Sequence, residues 1–309
     1  MAYAAINTTK AAHDDEVWAC KWSNSGTTSA DVIVTGSLDS SIKLWTMNEN
    51  NELVEKQKLL GHRMGILRLD ISSRHDLIAS SGMEGTIRLW DVNTGEQKQS
   101  PIDGGKVECW GLAFRPHSSL IGTSAQQGKI RLFDIASGEL TETFETRAKF
   151  IMSVQFSANG KYLAAGSSEG MVYVFDLQAS RILHAIEAHG RAIRAVVFSP
   201  DSNLLATASE DGTVRTFNPA QGVPVSNITG HSSWITAVDF SPDSARLATA
   251  STDSTVRVWK TDRENLATFK DSHEKIIWDV AFNPDGTKLL SVGADGNMVL
   301  YRTPRESAR

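Results

Sequence analysis

Several histidine, serine and aspartate side chains in this chain recur in the combination of a hydrolase triad, in which histidine takes the serine proton and aspartate orients the histidine. Two such sets are His13, Ser37 and Asp39, and His231, Ser251 and Asp253. A third is His189, Ser209 and Asp211. In the first two sets a tryptophan, Trp45 or Trp259, follows the aspartate by six residues. Because one enzyme does not need an active site in every segment, this recurrence favours a structural role, and we expect no catalytic residue.

These residues recur because the chain repeats one unit. The unit is clearest over residues 230–259, which read GHSSWITAVDFSPDSARLATASTDSTVRVW. An apolar run ends at Phe240, a Ser-Pro-Asp-Ser turn follows, and two further β-prone runs lead to Trp259. Short apolar runs separated by turn residues every eight to twelve positions indicate antiparallel strands.

A closing aromatic residue sets the period of the unit. The closing residues are Trp45, Trp90, Phe133, Phe175, Phe217, Trp259 and Tyr301, and from Phe133 onward they are 42 residues apart. The opening histidines are His13, His62, His189, His231 and His273, with Gly105 and Arg147 at the corresponding places of the third and fourth units. A fixed period of this length predicts a repeat architecture.

The unit resembles the WD repeat, with Gly-His near its start and Trp-Asp near its end, as in Trp90 and Asp91. The resemblance covers residues 13–301 and implies an all-β fold, a seven-bladed β-propeller with four strands in each blade. In WD repeats the loop histidine, strand serine, turn aspartate and strand tryptophan form a hydrogen-bonded tetrad. The resemblance assigns complete tetrads to the first and sixth units and three members to the fifth. It leaves Gly82 and Gly293 at the serine position of the second and seventh.

The two ends of the chain predict how the ring closes. Residues 3–9 precede His13 as residues 183–188 precede His189, whereas the chain stops eight residues after Tyr301. We therefore expect the N-terminal strand to complete the last blade. The expected organisation is a single domain over residues 1–302, followed by a frayed tail over 303–309.

Composition limits the function classes. A net charge of −5 and a pI near 5.9 argue against direct contact with nucleic acid, which needs clustered lysine and arginine. The sequence has no apolar run long enough for a membrane span and no signal-peptide pattern. Cys20 and Cys109 are expected as buried thiols of a reducing compartment. No ligand spacing suggests a metal or a cofactor, and we expect a protein that is monomeric alone.

The repeat register predicts a ring of large side chains on one face. Five residues after the loop histidine, or the residue in its place, stand Trp18, Leu67, Trp110, Met152, Arg194, Thr236 and Trp278. In propellers this position lines the top mouth of the central channel. Three residues after the same histidine, or the residue in its place, and on the same face, stand Glu16, Glu108, Phe150 and Trp234. Several tryptophans around one opening would form an apolar patch typical of a partner site. Alternatively, some of these rings only plug the channel and contact neighbouring blades.

Charge divides this face. Asp14, Asp15, Glu16 and Glu108 lie in the first and third units, whereas Arg147, Lys149, Arg191 and Arg194 lie in the fourth and fifth. This distribution predicts a short peptide crossing the face, with its arginine or lysine on the acidic side and against tryptophan faces. Its apolar residue would contact Trp234, Trp278 or Phe150. The other interpretation is solvated charge without a partner.

The whole chain also resembles one family, the WD-repeat subunit of the superkiller (Ski) complex. The segments that carry the resemblance are AHDDEVWACKW, TGSLDSSIKLW, RAKFIMSVQFSANGKYLAAG and GHSSWITAVDF. It implies a non-catalytic scaffold for a helicase and a tetratricopeptide-repeat subunit that assist exosome-mediated 3′–5′ decay of messenger RNA. It also implies a place in the RNA polymerase II-associated factor complex, and thus both cytoplasmic and nuclear localisation.

The alternative is another WD-repeat reader of peptides or histone tails in a chromatin or signalling complex. A channel-binding enzyme would need a polar or metal-bearing channel, against which the tryptophans and Met152 at the mouth argue.

Overall fold

The computed structural model describes residues 2–24, 31–104, 109–124 and 127–304. In these ranges the chain forms 28 β-strands and no α-helix. No helix in the described ranges has the length and apolar character that crossing a membrane requires. The all-β prediction is therefore confirmed.

The described strands form seven four-stranded antiparallel sheets, here called blades 1 to 7. Blade 1 contains β2 (Val17–Asn24), β3 (Asp31–Ser37), β4 (Ile42–Met47) and β5 (Leu53–Leu59). Blade 2 contains β6 (Ile66–Ile71), β7 (Leu77–Gly82), β8 (Thr86–Asp91) and β9 (Ile102–Asp103). Blade 3 contains β10 (Leu112–Phe114), β11 (Leu120–Ser124), β12 (Lys129–Asp134) and β13 (Leu140–Glu145). Blade 4 contains β14 (Ile151–Phe156), β15 (Tyr162–Ser167), β16 (Met171–Asp176) and β17 (Arg181–Glu187).

The remaining blades follow the same order. Blade 5 contains β18 (Ile193–Phe198), β19 (Leu205–Ser209), β20 (Thr213–Asn218) and β21 (Val223–Thr229). Blade 6 contains β22 (Ile235–Phe240), β23 (Arg246–Ser251), β24 (Val256–Lys260) and β25 (Asn265–Phe269). Blade 7 contains β26 (Ile277–Phe282), β27 (Lys288–Gly293), β28 (Met298–Arg302) and β1 (Ala4–Thr9).

Blade 7 closes the ring with strands from both ends of the chain. Its outer strand is β1, which pairs antiparallel with β28 so that Ala5 lies opposite Tyr301 and Thr9 opposite Met298. The prediction that the N-terminal strand closes the ring is confirmed. Because the chain continues directly into blade 1, the ring cannot open at this junction without breaking the β1–β28 ladder.

The core lies between neighbouring blades, because each sheet packs face to face on the next. Between blades 3 and 4, for example, Ile130 and Phe144 share one buried cluster with Leu163 and Phe175. Burying each such side chain contributes about 1.5–3 kcal/mol. This packing explains why the inner part of each blade is more buried than its outer strand: β19 is buried along its whole length, whereas β5 exposes most of its residues.

Polar side chains of the inner strands also join one blade to the next. A carboxylate or amide oxygen accepts the backbone N–H of a residue in the following blade, at 2.5 to 2.9 Å. The pairs are Asp70 with Phe114, Gln155 with Phe198, Asp239 with Phe282, and Asp279 with Cys20. A hydrogen bond to a charged acceptor is worth more than a neutral one, about 1.5–3 kcal/mol. These bonds fix the stagger of adjacent blades around the channel.

The structural tetrads are centred on a different hydroxyl from the predicted serine. In blade 6 the indole N–H of Trp259 donates to Thr249 Oγ1 at 3.0 Å, and the same hydroxyl lies 2.7 Å from His231 Nε2. His231 Nδ1 lies 2.9 Å from Asp253 Oδ2. All four groups are satisfied when the imidazole carries its proton on Nδ1: tryptophan donates to threonine, threonine to histidine, and histidine to the aspartate carboxylate.

Blade 1 repeats this arrangement with Thr35 between His13 and Trp45, whereas blade 5 keeps Thr207 beside His189 but has Phe217, which has no donor, in place of the tryptophan. The assignment of Ser37, Ser209 and Ser251 to the tetrads is therefore wrong. Each lies two residues farther along the same strand face, at the strand end. There its hydroxyl accepts the backbone N–H of the turn aspartate at 3.1 Å, in the pairs Ser37 with Asp39, Ser209 with Asp211, and Ser251 with Asp253. The serines cap the turn, while the threonines join the histidine to the closing strand.

Blades 2 and 7 are more complete than the sequence indicated, because the hydroxyl again comes from the earlier position. In blade 2, Ser80 lies between His62 and Trp90, and His62 Nδ1 contacts Glu84. A β-carbon at Gly82 would lie 2.6 Å from His62 Nδ1, so the glycine makes room for the longer glutamate. Gly82 is thus part of the arrangement and not a missing serine.

In blade 7 the hydroxyl of Ser291 contacts both His273 Nε2, at 2.7 Å, and the phenol oxygen of Tyr301, at 2.9 Å. The tyrosine thus replaces the closing tryptophan. Burial raises the pKa of Asp295, but the hydrogen bond and charge of His273 and the backbone N–H groups of Asn297 and Glu274 together outweigh burial and lower the pKa to about 2. The carboxylate therefore stays charged throughout the neutral range.

The chain after β28 does not fray immediately. Thr303 is fully buried, and the guanidinium of Arg246 donates to the carbonyl oxygens of Thr303, Pro304 and Gly286 at 3.1, 3.0 and 2.8 Å. The expectation of a frayed tail is therefore wrong for residues 303 and 304. Residues 305–309 lie outside the described ranges, and the domain boundary at 302 stays a prediction.

Both cysteines are buried, as expected from their positions. Burial raises the pKa of the Cys109 thiol to about 11, and it also raises the pKa of Cys20. Thiols held in the neutral form react slowly with oxidants. A reducing compartment stays a prediction.

The corrected tetrad predicts that Thr249→Val destabilises the protein. Valine keeps the shape of threonine but leaves the Trp259 indole N–H and the His231 ring without their shared partner, which should cost about 1–3 kcal/mol of unfolding free energy. Urea unfolding would measure this loss. The matched control is Thr143→Val on the exposed outer strand β13, where no measurable loss is expected. An equal effect of both substitutions would contradict the tetrad assignment.

Candidate partner-binding face

The candidate site lies on the face that carries the loops from each outer strand to the next blade. The loops between second and third strands lie on the same face, because neighbouring strands are antiparallel. We call this the top face and the opposite one the bottom face. The predicted residues lie in the loops before the inner strands or in the first residues of those strands.

Four predicted aromatic residues form a continuous row around part of the channel mouth. Ring centroids are 4.9 Å apart between Trp278 and Trp18, 6.0 Å between Trp18 and Trp110, and 6.4 Å between Trp110 and Phe150. These residues come from blades 7, 1, 3 and 4, and each is partly exposed. We call this set the aromatic row. The sequence predicted its members individually, and the structure brings them into contact.

Glu16 holds one end of the aromatic row in place. Its Oε2 accepts the indole N–H of Trp18 at 2.9 Å and that of Trp278 at 2.8 Å. Two tryptophans from different blades are thus oriented by one carboxylate oxygen. This arrangement satisfies the indole donors and leaves the ring faces for other contacts.

Trp234 is the most exposed tryptophan of the predicted set, with 39% of its surface accessible. The guanidinium of Arg194 lies 5.5 Å from the indole centroid, and Arg194 Nε donates to Glu210 Oε1 at 2.7 Å. Arg194 is therefore occupied on two sides. Its role in the structure is to support the tryptophan, and a partner would meet the indole.

Three other predicted positions differ in their surroundings. Leu67 is fully buried, so its assignment to the partner-binding surface is wrong. Met152, two residues after Phe150, is half-buried. Glu108 lies outside the described residues.

Sequence analysis missed two exposed apolar residues on this face. Met64, which is 49% accessible, and Leu60 lie in the loop that precedes the inner strand of blade 2. The sequence signals were only two apolar residues, two positions before and two positions after His62, in a loop whose other residues are polar or small. Met64 extends the apolar surface to the blade where Leu67 is buried.

Those of the predicted charged residues that the structure describes lie in loops of the top face. Asp14 and Asp15 are exposed in the loop before blade 1. Arg147, Lys149 and Arg191 are exposed in the loops before blades 4 and 5, which lie across the ring from blade 1. The aromatic row therefore runs from an acidic region to a basic one.

Below the mouth, the channel is polar and charged. A cavity of about 90 Å³ is lined by Lys21, Arg68, Asp70, Arg194 and Asp279, among others. The tryptophans at the mouth had argued against a polar channel, but the channel below them is polar. Among the described residues no group of three or more histidine, cysteine, aspartate or glutamate side chains is placed to hold a metal ion.

The channel charges are balanced around Lys21. Burial would lower the pKa of its ammonium group, but Asp70, Asp279 and Asp239 together raise it. Burial raises the pKa of Asp239 to about 6, against the charge of Lys21 and the N–H of Phe282, which lower it. Lys21 therefore stays charged, while Asp239 takes up a proton in mildly acidic solution.

This shift predicts a pH dependence for Asp239→Asn, which keeps an oxygen for the Phe282 N–H. A carboxyl whose pKa is raised by folding stabilises the fold below its ordinary pKa of about 4, and this contribution is lost as pH rises through about 6. The unfolding free energy of the wild type minus that of the variant should therefore fall between about pH 4.5 and 7.

Urea unfolding at several pH values would measure the difference. Asp134→Asn is the control, because hydrogen bonds from Ser137 lower the pKa of that surface carboxyl. Its difference should stay level over the same interval. A level difference for Asp239→Asn would contradict the raised pKa.

Comparison with known proteins gives two matching family models. The model of the echinoderm microtubule-associated protein second beta-propeller matches residues 109–279, more than half of the chain. The model of the WD domain, G-beta repeat, matches residues 6–46, 54–91 and 263–302. Together the two models cover parts of every blade.

Three curated relatives show the range of similarity. WD repeat-containing protein SL1-17 of Schistosoma mansoni is 32% identical over 157 residues, 51% of this chain and 52% of the relative. Superkiller complex protein 8 of Dictyostelium discoideum is 33% identical over 103 residues, 33% of this chain and 32% of the relative. WD repeat-containing protein VIP3 of Arabidopsis thaliana is 32% identical over 180 residues, 54% of this chain and 55% of the relative. The chain thus spans about a third to a half of the length of these relatives.

Proposed function

Because the chain belongs to the family of WD-repeat β-propellers, we propose that it is a non-catalytic scaffold that binds partner proteins through its top face. The observation that carries the proposal is the aromatic row together with the exposed Trp234 around one channel mouth. Apolar surface grouped in this way on a folded protein is typical of an interaction site. Tryptophan is also enriched among the residues that dominate binding energy.

The rigidity of this surface supports the proposal. Glu16 fixes Trp18 and Trp278, and Arg194, itself bonded to Glu210, lies over Trp234. Side chains that are already ordered lose less conformational freedom when a partner binds. The top face is therefore arranged to bind without rearranging.

The division of charge favours a short peptide segment as the ligand. A basic side chain of the peptide would lie near Asp14 and Asp15, where a neighbouring tryptophan face adds cation–π attraction. An apolar side chain would pack on Trp234 or Phe150. The exposed arginines and lysine of blades 4 and 5 would meet acidic groups farther along the segment.

For the assembly, we propose a Ski-type complex. The similarity to superkiller complex protein 8 over a third of the chain supports this proposal. The partners would be a tetratricopeptide-repeat subunit and a helicase that assist exosome-mediated 3′–5′ decay of messenger RNA in the cytoplasm. A second assembly, the RNA polymerase II-associated factor complex, would place the protein in the nucleus. The net charge of −5 fits a subunit that leaves contact with RNA to its partners.

The test is affinity purification of the wild-type protein beside Trp234→Ala. Removing an exposed hot-spot tryptophan should weaken binding by about 2 kcal/mol or more, so capture of the tetratricopeptide subunit and the helicase should fall at least about tenfold. Val225→Ala on the outer strand β21 is the control, because Val225 is similarly exposed, at 49%, and lies away from the top face.

Thermal melting would first establish that both variants are folded. Capture of the same partners by wild type and Trp234→Ala alike would contradict the top-face site. Capture of chromatin or signalling proteins in their place, lost with Trp234→Ala, would favour the histone-tail or peptide-reader alternative and reject the Ski assignment.

A further inference from the structure

The bottom face carries a groove that the proposed function does not use. A cavity of about 450 Å³ lies between the bottom turns of blades 2 and 3, with Leu77, Phe114 and Ile135 among its lining residues. A second cavity of about 230 Å³, below the channel, shares Ser73 and Phe114 with the first. We call the two adjoining cavities the bottom groove. Together they have room for several residues of an extended peptide.

The residue that follows the inner strand distinguishes blade 3 from its neighbours. In blades 4, 5 and 6 this residue is a serine whose hydroxyl accepts a backbone N–H across the turn, at 2.9 to 3.0 Å. The serines are Ser157, Ser199 and Ser241. In blade 7, Asn283 does the same for Lys288 at 2.8 Å. Blade 3 has Arg115 at this place, and a guanidinium cannot accept such a bond.

Blade 3 therefore lacks, at Arg115, a bond that stabilises the turn in blades 2, 4, 5, 6 and 7, since in blade 2 Ser72 accepts the Leu77 N–H at 3.1 Å. In return it places a positive charge among the lining residues of the bottom groove. An exception to a repeated structural rule is most easily explained by a function at that site.

Two positions farther along the turn, an aspartate in blades 5 to 7 is replaced by a basic residue in blades 2 and 3. Blades 5, 6 and 7 carry Asp201, Asp243 and Asp285 at this position, and blade 4 carries Asn159. Blades 2 and 3 carry Arg74 and His117 instead, and both line the groove. The Arg74 side chain is 81% accessible, with its Nε 3.5 Å from Asp76, whose carboxylate also accepts the hydroxyl of Ser72 at 2.6 Å. At this position, blades 5 to 7 thus carry a carboxylate, whereas blades 2 and 3 carry a basic side chain, with Asp76 beside Arg74 in the blade 2 turn.

We propose that the bottom groove binds a short acidic peptide segment of a partner protein. An apolar side chain of the segment packs against Leu77, Phe114 and Ile135, and a neighbouring carboxylate pairs with the guanidinium of Arg115. Arg74 contributes a second cation at the rim. Charge complementarity favours this ligand, because Arg74 and Arg115 outnumber Asp76 among the charged side chains that line the larger cavity.

The experiment is a selection from a random-peptide display library on the intact protein, followed by titration of the selected peptides. The matched variant is Arg115→Ser, which restores the serine of blades 4 to 6. The melting temperature of this variant should be equal to or higher than that of the wild type, so misfolding cannot explain a loss of binding. Acidic peptides with an apolar residue should be selected, and Arg115→Ser should weaken their binding at least about tenfold.

Two controls separate this site from the top face. Arg181→Ser changes an exposed arginine on the outer strand β17 and should leave binding unchanged. Trp234→Ala should also leave it unchanged, so that failure of the top-face proposal and failure of this one give different results. The proposal is overturned if no acidic class of peptides is selected, if Arg115→Ser binds the selected peptides like wild type, or if only Trp234→Ala abolishes their binding.

Discussion

The pairing of β1 with β28 is the constraint on which the remaining structure depends. Each blade buries both of its faces against its neighbours, so no blade is stable at a free edge of the ring. Once the β1–β28 ladder closes blade 7, the inner strands of all seven blades surround one channel. Only then do Trp278, Trp18, Trp110 and Phe150, which are far apart in sequence, come into contact. The candidate binding face is therefore a product of ring closure.

The repeat itself predicted the fold, since its period, turn residues and closing aromatics all agree. It could not predict which hydroxyl joins the tetrad. Thr249 and Ser251 lie on the same face of one strand, two residues apart, and both are hydroxyl residues. Spacing alone does not distinguish them, and only the reach of the histidine ring does. The same ambiguity made blades 2 and 7 look incomplete, although Ser80 and Ser291 occupy the earlier position.

Register predicted the ring at the channel mouth but not the exposure of its members. Leu67 occupies the same repeat position as Trp18 and Trp110, yet it is fully buried. The ring centroids of the two tryptophans, by contrast, lie 6.0 Å apart at the partly exposed mouth. How far a side chain rises from the mouth depends on its size and on its neighbours around the ring, which are distant in sequence. Met64 escaped notice for a related reason, because exposure of a loop residue depends on how that loop packs.

The two proposed binding surfaces are separated by a charged channel whose groups already have partners within the ring. Asp70, Asp239 and Asp279 each accept a backbone N–H from the next blade and surround Lys21. Moving one blade relative to another would break these bonds and uncover buried charge, which is costly. The ring therefore resists the relative motion that would transmit a signal from one face to the other.

Partners on the top face and in the bottom groove should bind without influencing each other, since allosteric coupling needs two alternative arrangements of the structure between the sites. With both proposed surfaces occupied, such a rigid propeller would bring its partners together by fixed geometry alone.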